Sequence, residues 1–447
     1  MFKKEFSADV VISGAGTAGS AAAIAAADQG LSVLLIEQFG AAGGSGSIGL
    51  VTPIMSSHIK GNPQCSYVAE EINARMEALG AGAGASFFDP GMLPFVLEKM
   101  LIERHVKVLF HTTVTDVVMD GRRIDHLVLA GKSGKMKASG KYYIDCTGDS
   151  DLSVLAGFPT LHGDETTGKN QPVSLRYLVG GINVQAFRKF LYDIGIKIDA
   201  PYFSGSVCKA KNSSGPLDDI FMKAIDAGDL VYEDAVYWQF FTVPGRDDTI
   251  AFNCPEYFDI HDADDTESLT FVQLDGKQSI LRQLLFYRKY LPGFEKSYIS
   301  SVSGFVGIRE SRRAVTDYIM TVEDIASHRK FPDAICQSNY PVDVHGRKLN
   351  LKQLTSTDPN EKPYYELPLG CLIVKDADNL LAAGRNLGSE FAAQSSIRVI
   401  HTCRAMGEAA GIACAFAEKT GSLRSVDGAL VREEMRRRGA RFVCDVQ

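Results

Sequence analysis

Six consecutive residues, Gly14-Ala15-Gly16-Thr17-Ala18-Gly19, and one acid, Glu37, carry the clearest chemistry in this chain. Glycines at that spacing let a main chain turn tightly, approach a pyrophosphate and pack a helix against a strand. The free N–H groups and positive dipole end of the helix they open form an anion site. Glu37 stands where a carboxylate accepts hydrogen bonds from a ribose 2′-OH and repels a 2′-phosphate. Together they describe the holding of a dinucleotide. A glycine motif alone would equally describe a flexible loop, so its setting decides. Val10-Val11-Ile12 has the length of a buried strand, the small residues after Gly19 form a helix, and Ser32 to Ile36 forms a second strand delivering Glu37. The motif does not separate NAD from FAD.

A second group is suited to binding anions. Arg309, Glu310, Ser311, Arg312 and Arg313 form the densest charged cluster in an apolar context. Guanidinium groups recognise carboxylate and phosphate bidentately. Arg309 and Arg312 are therefore candidate substrate-binding residues; the competing reading is a structural ion-pair network using Glu310 and Asp317. His345 is a candidate acid or base, because histidine titrates near neutrality, although a histidine beside a glycine also suits a hydrogen-bonded turn. His58 and His401 are weaker candidates, and Glu366 reads as structural. No metal site is expected: C-x-x-C, H-E-x-x-H and close Cys/His groupings are missing from the sequence. Iron–sulfur ligation is disfavoured for the same reason. Cys403 and Cys414 lie turns apart on one helix, too far for a redox disulfide, and nothing marks a residue for covalent flavin attachment.

These groups need elements to position them. Asp89 reads as a helix cap with Pro90 in the first turn, before Leu93, Val96, Leu97, Met100 and Leu101 at helical spacing. A strand over 106–111 follows. Next comes a meander over 113–119, 124–129 and 141–145, with a hairpin turn at Asp120-Gly121. Ile144-Asp145-Cys146-Thr147-Gly148-Asp149 closes it as a buried strand and small-residue turn. Leu380-Leu381-Ala382-Ala383 is a further buried strand that leaves Arg385 exposed after Gly384. Ser395 and Ser396 read as N-caps of a helix reaching Ala417. Along that helix Gly407, Gly411 and Ala415 recur every four residues as a smooth packing face. Residues 425–439 read as a docking helix with a serine cap and Gly439 at its end.

Bulk composition agrees with a globular enzyme. The chain has 447 residues, more than one core usually supports. It is 45% hydrophobic and 23% charged, which argues against disorder. A net charge of −7 disfavours a nucleic-acid partner. No apolar stretch is long enough for a membrane span. The apolar stretch behind Lys3 and Lys4 is the dinucleotide motif itself, so no targeting segment is read there. Nine scattered cysteines fit a reducing cytoplasm better than a disulfide framework.

The order of GxGxxG, acid after the second strand, three-stranded meander and D-x-T-G-D resembles flavoproteins of the glutathione-reductase-like superfamily. GIRESRRAVTDY (307–318), VEDI (322–325), FPDAI (331–335), YPVDVHG (340–346), LPLGCLI (367–373) and residues 379–417 are similar to the bacterial FAD-dependent oxidoreductase family. That family is distantly related to the flavin subunits of fumarate and heterodisulfide reductases. The resemblance implies an α/β fold: a Rossmann-like FAD-binding domain with parallel sheet and three-stranded β-meander, interrupted by an α+β substrate or cap domain. The implied boundaries are 1–158 and 365–447 for the FAD part and 159–364 for the cap. By position, Gly14, Gly16, Thr17, Ala18 and Gly19 would cradle the pyrophosphate, and Glu37 with neighbouring Gln38 would hold the adenosine ribose. Gly44 and Ser45 would lie along the ribityl side and Val114 would face adenine. Cys146, Thr147 and Gly148 would close the adenosine pocket. Gly384 and Arg385 would lie near the pyrophosphate, with Ser396 and Arg398 at a helix start beside the flavin ring. Ala42 and Ser45 depart from the bulky apolar residues usual in the family.

The glycine run at 80–85 follows a helix and breaks the dinucleotide pattern, so no second NAD(P)H domain is expected. The reading is therefore an FAD-dependent dehydrogenase or reductase passing hydride between flavin and a small organic substrate under the cap. That substrate is anionic if the arginines bind it. The alternatives are an oxygen-using monooxygenase or oxidase, and a non-catalytic flavin-binding interaction protein. The sequence names no electron partner and is compatible with a homo-oligomer.

Overall fold

The computed structural model describes residues 2–55, 59, 64–260, 262–345 and 364–443. His58, Gly346 and Cys444 lie outside the described residues. The first unit is strand β1 (Lys4–Ser13), helix α1 (Thr17–Asp28) and strand β2 (Val33–Ile36). Val10, Val11 and Ile12 are completely buried, as expected of a strand covered on both faces. Next come helices α2 (Tyr67–Ala78) and α3 (Leu93–Glu103) and strand β3 (Lys107–Leu109). The meander follows as β4 (Thr112–Asp120), β5 (Arg123–Gly131) and β6 (Gly134–Asp145).

These strands form one sheet in the order β3-β2-β1-β6-β5-β4. β1 is parallel to both β2 and β6, while β5 runs antiparallel between β4 and β6. The fold is therefore α/β, with a parallel-rich, Rossmann-type sheet and separate antiparallel sheets. The largest of these holds β7 (Tyr177–Gly180), β8 (Ser204–Val207), β9 (Trp238–Val243), β10 (Arg246–Phe252) and β11 (Tyr298–Val302), in the order β8-β9-β10-β7-β11. Helix α4 (Thr266–Tyr290) packs on it, burying Ile280, Leu284, Phe286 and Tyr287 with Trp238 and Phe252.

Late in the chain, β12 (Leu380–Ala382) pairs parallel to β6 and returns the chain to the first sheet. Helices α5 (Phe391–Ile397), α6 (Ile400–Thr420) and α7 (Gly428–Arg437) follow. The face of α6 bearing Gly407 and Gly411 lies directly on α1. A Cβ on Gly407 would stand 2.0 Å from the Ala18 carbonyl oxygen, and one on Gly411 2.4 Å from that of Ala22. Among the described residues no helix is long and apolar enough to cross a membrane.

Three capping expectations are corrected. Asp89 caps no helix: α3 starts after Met92, and the Asp89 carboxylate instead accepts from Gly91 N at 2.8 Å and pairs with Arg246 at 2.7 Å. The attraction of a guanidinium outweighs a cap. Ser395 and Ser396 do not cap a continuous helix, because the chain breaks at Arg398-Val399 between α5 and α6. Asp427, not Ser425, caps α7 by accepting from Ala429 N at 2.8 Å.

Two outcomes follow from α6. Gly407→Ala should destabilise the protein in chemical denaturation, although helix propensity alone favours alanine by about 1 kcal/mol. The collision with a backbone carbonyl decides the sign. Beside it, Glu408 is buried and accepts from Ser66 Oγ at 2.6 Å and Val68 N at 3.1 Å. Burial pushes its carboxyl up to about 8. A raised carboxyl pKa favours the protonated folded state, so stability should fall as pH rises from the ordinary glutamate value through 8. Glu408→Gln should flatten that decline, measured by denaturation across pH.

Candidate functional site

The helix α1 start is built for a phosphate. Gly16, its N-cap, has no side-chain cap, so the first N–H groups lack an acceptor within the protein's own capping machinery. A Cβ on Gly16 would meet nothing within 4 Å, which leaves open space at the place a pyrophosphate would approach. Gly14 has φ +95°, and a Cβ there would lie 2.4 Å from the Cys146 carbonyl oxygen. Several residues marked in the sequence gather here. A Cβ on Gly44 would touch Gly16 Cα at 2.9 Å, one on Gly384 would touch Ala18 Cβ at 3.2 Å, and one on Gly148 would touch Arg385 Nη2 at 2.7 Å. Thr17, Gly19, Ser45, Cys146 and Thr147 fill the same neighbourhood. These residues fit a dinucleotide.

Glu37 does more than the sequence suggests. Its Oε2 accepts from Ala15 N at 2.8 Å and its Oε1 from Phe39 N at 2.9 Å. Burial pushes its carboxyl above the ordinary range, and the Phe39 and Ala15 N–H groups pull it back. The acid therefore holds the glycine turn itself. Its carbonyl accepts from Thr112 N at 3.0 Å, which brings the start of β4, and with it Val114, to the same edge. Gln38 beside it is exposed.

The arginine cluster divides. Arg312 pairs with Asp151 at 2.7 Å and Asp264 at 3.0 Å, joining the segment after β6 to the one before α4. Arg313 pairs with the fully buried Glu310 at 3.2 Å, which also accepts from Asn170 at 2.7 Å. Asp317 takes no part in that network; its partner is Arg424 at 3.1 Å. Arg309 turns the other way. Its Nη1 reaches Glu256 Oε1 at 2.8 Å and the Pro172 carbonyl at 2.6 Å, while its buried Nη2 has no hydrogen-bond partner.

Arg309 stands in a buried polar cluster that local sequence did not reveal. Glu256 Oε1 also faces His345 Nδ1 at 2.7 Å, so one carboxylate links two candidates far apart in the chain. His345 Nε2 lies 3.5 Å from Asp343, and its ring meets Tyr237 edge-on with centroids 5.2 Å apart. Tyr237 donates to Gln239 at 2.7 Å, and Tyr340 donates to Asp343 at 3.0 Å. Burial pushes both phenols up. Burial would also push up the Glu256 carboxyl, but Arg309 and His345 beside it hold it below the ordinary value.

Two further guanidinium groups lie close enough to Arg309 to feel its charge. Arg176, just before β7, is pushed down to about 10 by burial and by Arg309. Arg398, between α5 and α6, is pushed down by burial and by Arg309. Among the described residues neither guanidinium has a hydrogen-bond or ion-pair partner, and Arg398 Nε is buried bare. By contrast Arg385 is engaged by Asp149 at 2.8 Å and Ser311 Oγ at 3.0 Å. Ser396 is buried with its hydroxyl bonded to Tyr365 OH at 2.8 Å and to the Tyr340 carbonyl. It thus fixes the segment carrying Tyr340.

Other candidates take structural places. His401 is buried against the Gln337 carbonyl at 3.1 Å, and burial lowers it to about 4. Glu366 accepts from Phe331 N at 2.9 Å and Gln337 at 3.0 Å. His162, Asp262 and Asp264 gather at the surface with ligand-type atoms within 4.8 Å, a grouping the sequence did not suggest. Asp264 there already pairs with Arg312.

Removing Glu37 should act twice. Glu37→Ala should loosen dinucleotide binding about ten- to a hundredfold, as loss of a charged hydrogen bond implies. It should also lower apo-protein stability by about 1–3 kcal/mol for each backbone donor left bare. Equilibrium dialysis and denaturation of the apo-protein measure the two separately.

No curated protein matches the sequence. Among solved structures, a geranylgeranyl bacteriochlorophyll reductase-like protein from Thermoplasma acidophilum is similar, at 12% identity and TM-score 0.47, covering 97% of this chain and 83% of that one. A myxobacterial chondrochloren halogenase is similar at 12% identity and TM-score 0.46, covering 97% and 79%. The p-nitrophenol 4-monooxygenase of Pseudomonas putida DLL-E4 is similar at 11% identity and TM-score 0.41, covering 70% of each chain. The family described as FAD dependent oxidoreductase matches residues 9–435, and the chain belongs to that family of flavin enzymes.

Proposed function

We propose that this FAD-dependent oxidoreductase passes hydride between its flavin and a small organic anion held in the pocket of Arg176, Arg309 and Arg398. The reading rests on one observation: Arg309 has a buried Nη2 without a hydrogen-bond partner and is held by its carbonyl against Gln394 of α5 at 2.9 Å, and Arg176 and Arg398, which have no partner among the described residues, are close enough for its charge to push them down. Buried charge without a partner is costly, and an incoming carboxylate would relieve that cost. Bound FAD supplies a ring that accepts or releases a hydride. The chain's own residues do the rest. The arginines bind and orient the anion. Glu256 holds Arg309 and His345 in one arrangement, and His345 sits where it can take or give a proton at Nε2, beside Asp343. Tyr237 and Tyr340 keep their protons, give them to Gln239 and Asp343, and so brace the side chains around His345.

In this reading residues 1–158 and 365–447 form the FAD part, 159–364 form the cap, and the FAD part is of the glutathione-reductase-like kind. The buried thiols, none of them in a disulfide among the described residues, suit a reducing cytoplasm.

The test is anaerobic flavin reduction with a panel of small carboxylates and their neutral amides. Carboxylates should reduce the flavin, or perturb its spectrum, far better than amides. Arg176→Lys, Arg309→Lys and Arg398→Lys keep charge but lose the fork, so each should weaken anion binding about ten- to a hundredfold with FAD retained. Arg312→Lys should instead lower stability and leave the anion affinity unchanged. Equal reduction by amides, with the lysine variants unaffected, would remove the anion pocket from the mechanism. Turnover that requires oxygen would point to a monooxygenase or oxidase.

A further inference from the structure

Helix α4 is apolar on both sides. One face, with Val272, Ile280, Leu284, Phe286 and Tyr287, is buried on the antiparallel sheet. The opposite face carries Phe271, Leu274, Leu281 and Leu285, which are 52%, 64%, 52% and 58% exposed. Scattered surface leucines need no explanation, but these are not scattered. With exposed Gln278 between them, they recur at alternating steps of three and four residues. That is the period of a helix–helix seam, which keeps one stripe facing a partner helix. The same steps continue to Glu267 at the N-terminal end and Arg288 at the C-terminal end. The helix is 25 residues long, so about 37 Å of it is available to a partner.

We propose that this stripe is the contact between two copies of the chain, paired antiparallel about a two-fold axis near the middle of α4. The stripe is self-complementary in that arrangement. Leucines and Phe271 lie on both sides of Gln278, so a two-fold rotation sets apolar residues against apolar ones. The charges fix the direction. Antiparallel pairing brings Glu267 of each copy within a turn of Arg288 of the other; Lys289 beside it is already paired with Asp229 at 2.6 Å in its own chain. Parallel pairing would set glutamate beside glutamate and arginine beside arginine, which is destabilising. Asp275 and Arg282, which flank the seam, are already bonded within their own chain to Tyr257 at 2.7 Å and Asp234 at 2.7 Å, and do not oppose the approach. Tyr298 is 52% exposed and follows Ser297, whose carbonyl accepts from Arg288 at 2.9 Å, so it extends the apolar surface at one end. Gln278 is the polar residue in the seam, a device that fixes register at a cost in affinity.

Sedimentation velocity of the FAD-loaded full chain across the micromolar range tests this. The wild type should be a dimer. Leu281→Lys enters the interface twice and should weaken the dimer at least about a hundredfold. Its flavin spectrum and anion response should not change, because the side chain is exposed and takes no part in the buried face of α4, while its melting temperature should fall only by what loss of the dimer removes. Glu267→Arg should weaken the dimer about tenfold, and combining it with Arg288→Glu should restore it. A monomeric wild type, or a dimer untouched by Leu281→Lys, would overturn the proposal. Failure of the double exchange to restore a dimer lost in Glu267→Arg would overturn the antiparallel arrangement.

Discussion

The backbone contact between α1 and α6 is the constraint on which the rest depends. Side chains at Gly407 or Gly411 would occupy the carbonyls of Ala18 and Ala22. Because nothing intervenes, the last third of the chain is held at the first. β12 enters the sheet beside β6, and the turn after it sets Gly384 against Ala18 and Arg385 over Gly148. The phosphate-facing end of α1 is thus enclosed by residues from both ends of the sequence. Small residues achieve this at a loss of helix propensity, which close packing offsets.

Charge follows a similar division of labour. The cation-rich segment at 309–313 is not one functional unit. Arg312 pairs with Asp151 and Asp264 and ties the segment after β6 to the one before α4, while Arg313 pairs locally with Glu310 and keeps a buried Nε without a hydrogen bond. Arg309 is satisfied on one nitrogen by Glu256 and left bare on another. Truncating one partner of a buried ion pair leaves the other uncompensated. Arg312, which bridges two separate segments, is therefore a stability residue first.

How much of this was legible follows from how local each signal is. The glycine turn, the alternation of the meander and the four-residue spacing on α6 are short-range patterns with a steric reason, and the structure follows them closely. Caps were less legible, because a cap is a competition among nearby acceptors. Asp89 went to Arg246, and the Ser396 hydroxyl went to Tyr365 and the Tyr340 carbonyl. The pocket was mostly illegible. Arg176, Tyr237 and Glu256 sit at or just before short strands of the cap, with no motif around any of them. Only the pairing of those strands brings them to Arg309 and His345. Arg309 and His345 were visible as residue types, but not as neighbours of one carboxylate. Glu37 was visible as an acid after a strand, yet its grip on Ala15 depends on the turn's final shape.

The pocket and the seam on α4 sit in the same cap for a physical reason. The cap's core is aromatic: Tyr177, Trp238, Phe252 and Tyr287 pack together, with the Tyr177, Tyr287 and Gln283 polar tips bonded to one another. α4 supplies Gln283 and Tyr287 to that cluster from its buried side. Arg176 immediately precedes Tyr177, and Tyr237 immediately precedes Trp238, so two pocket residues are fixed by the rings next to them in the chain. The helix that would carry the contact between copies is therefore the one that steadies the strands presenting the anion pocket. Pairing α4 would bury its outer leucines without disturbing its inner face.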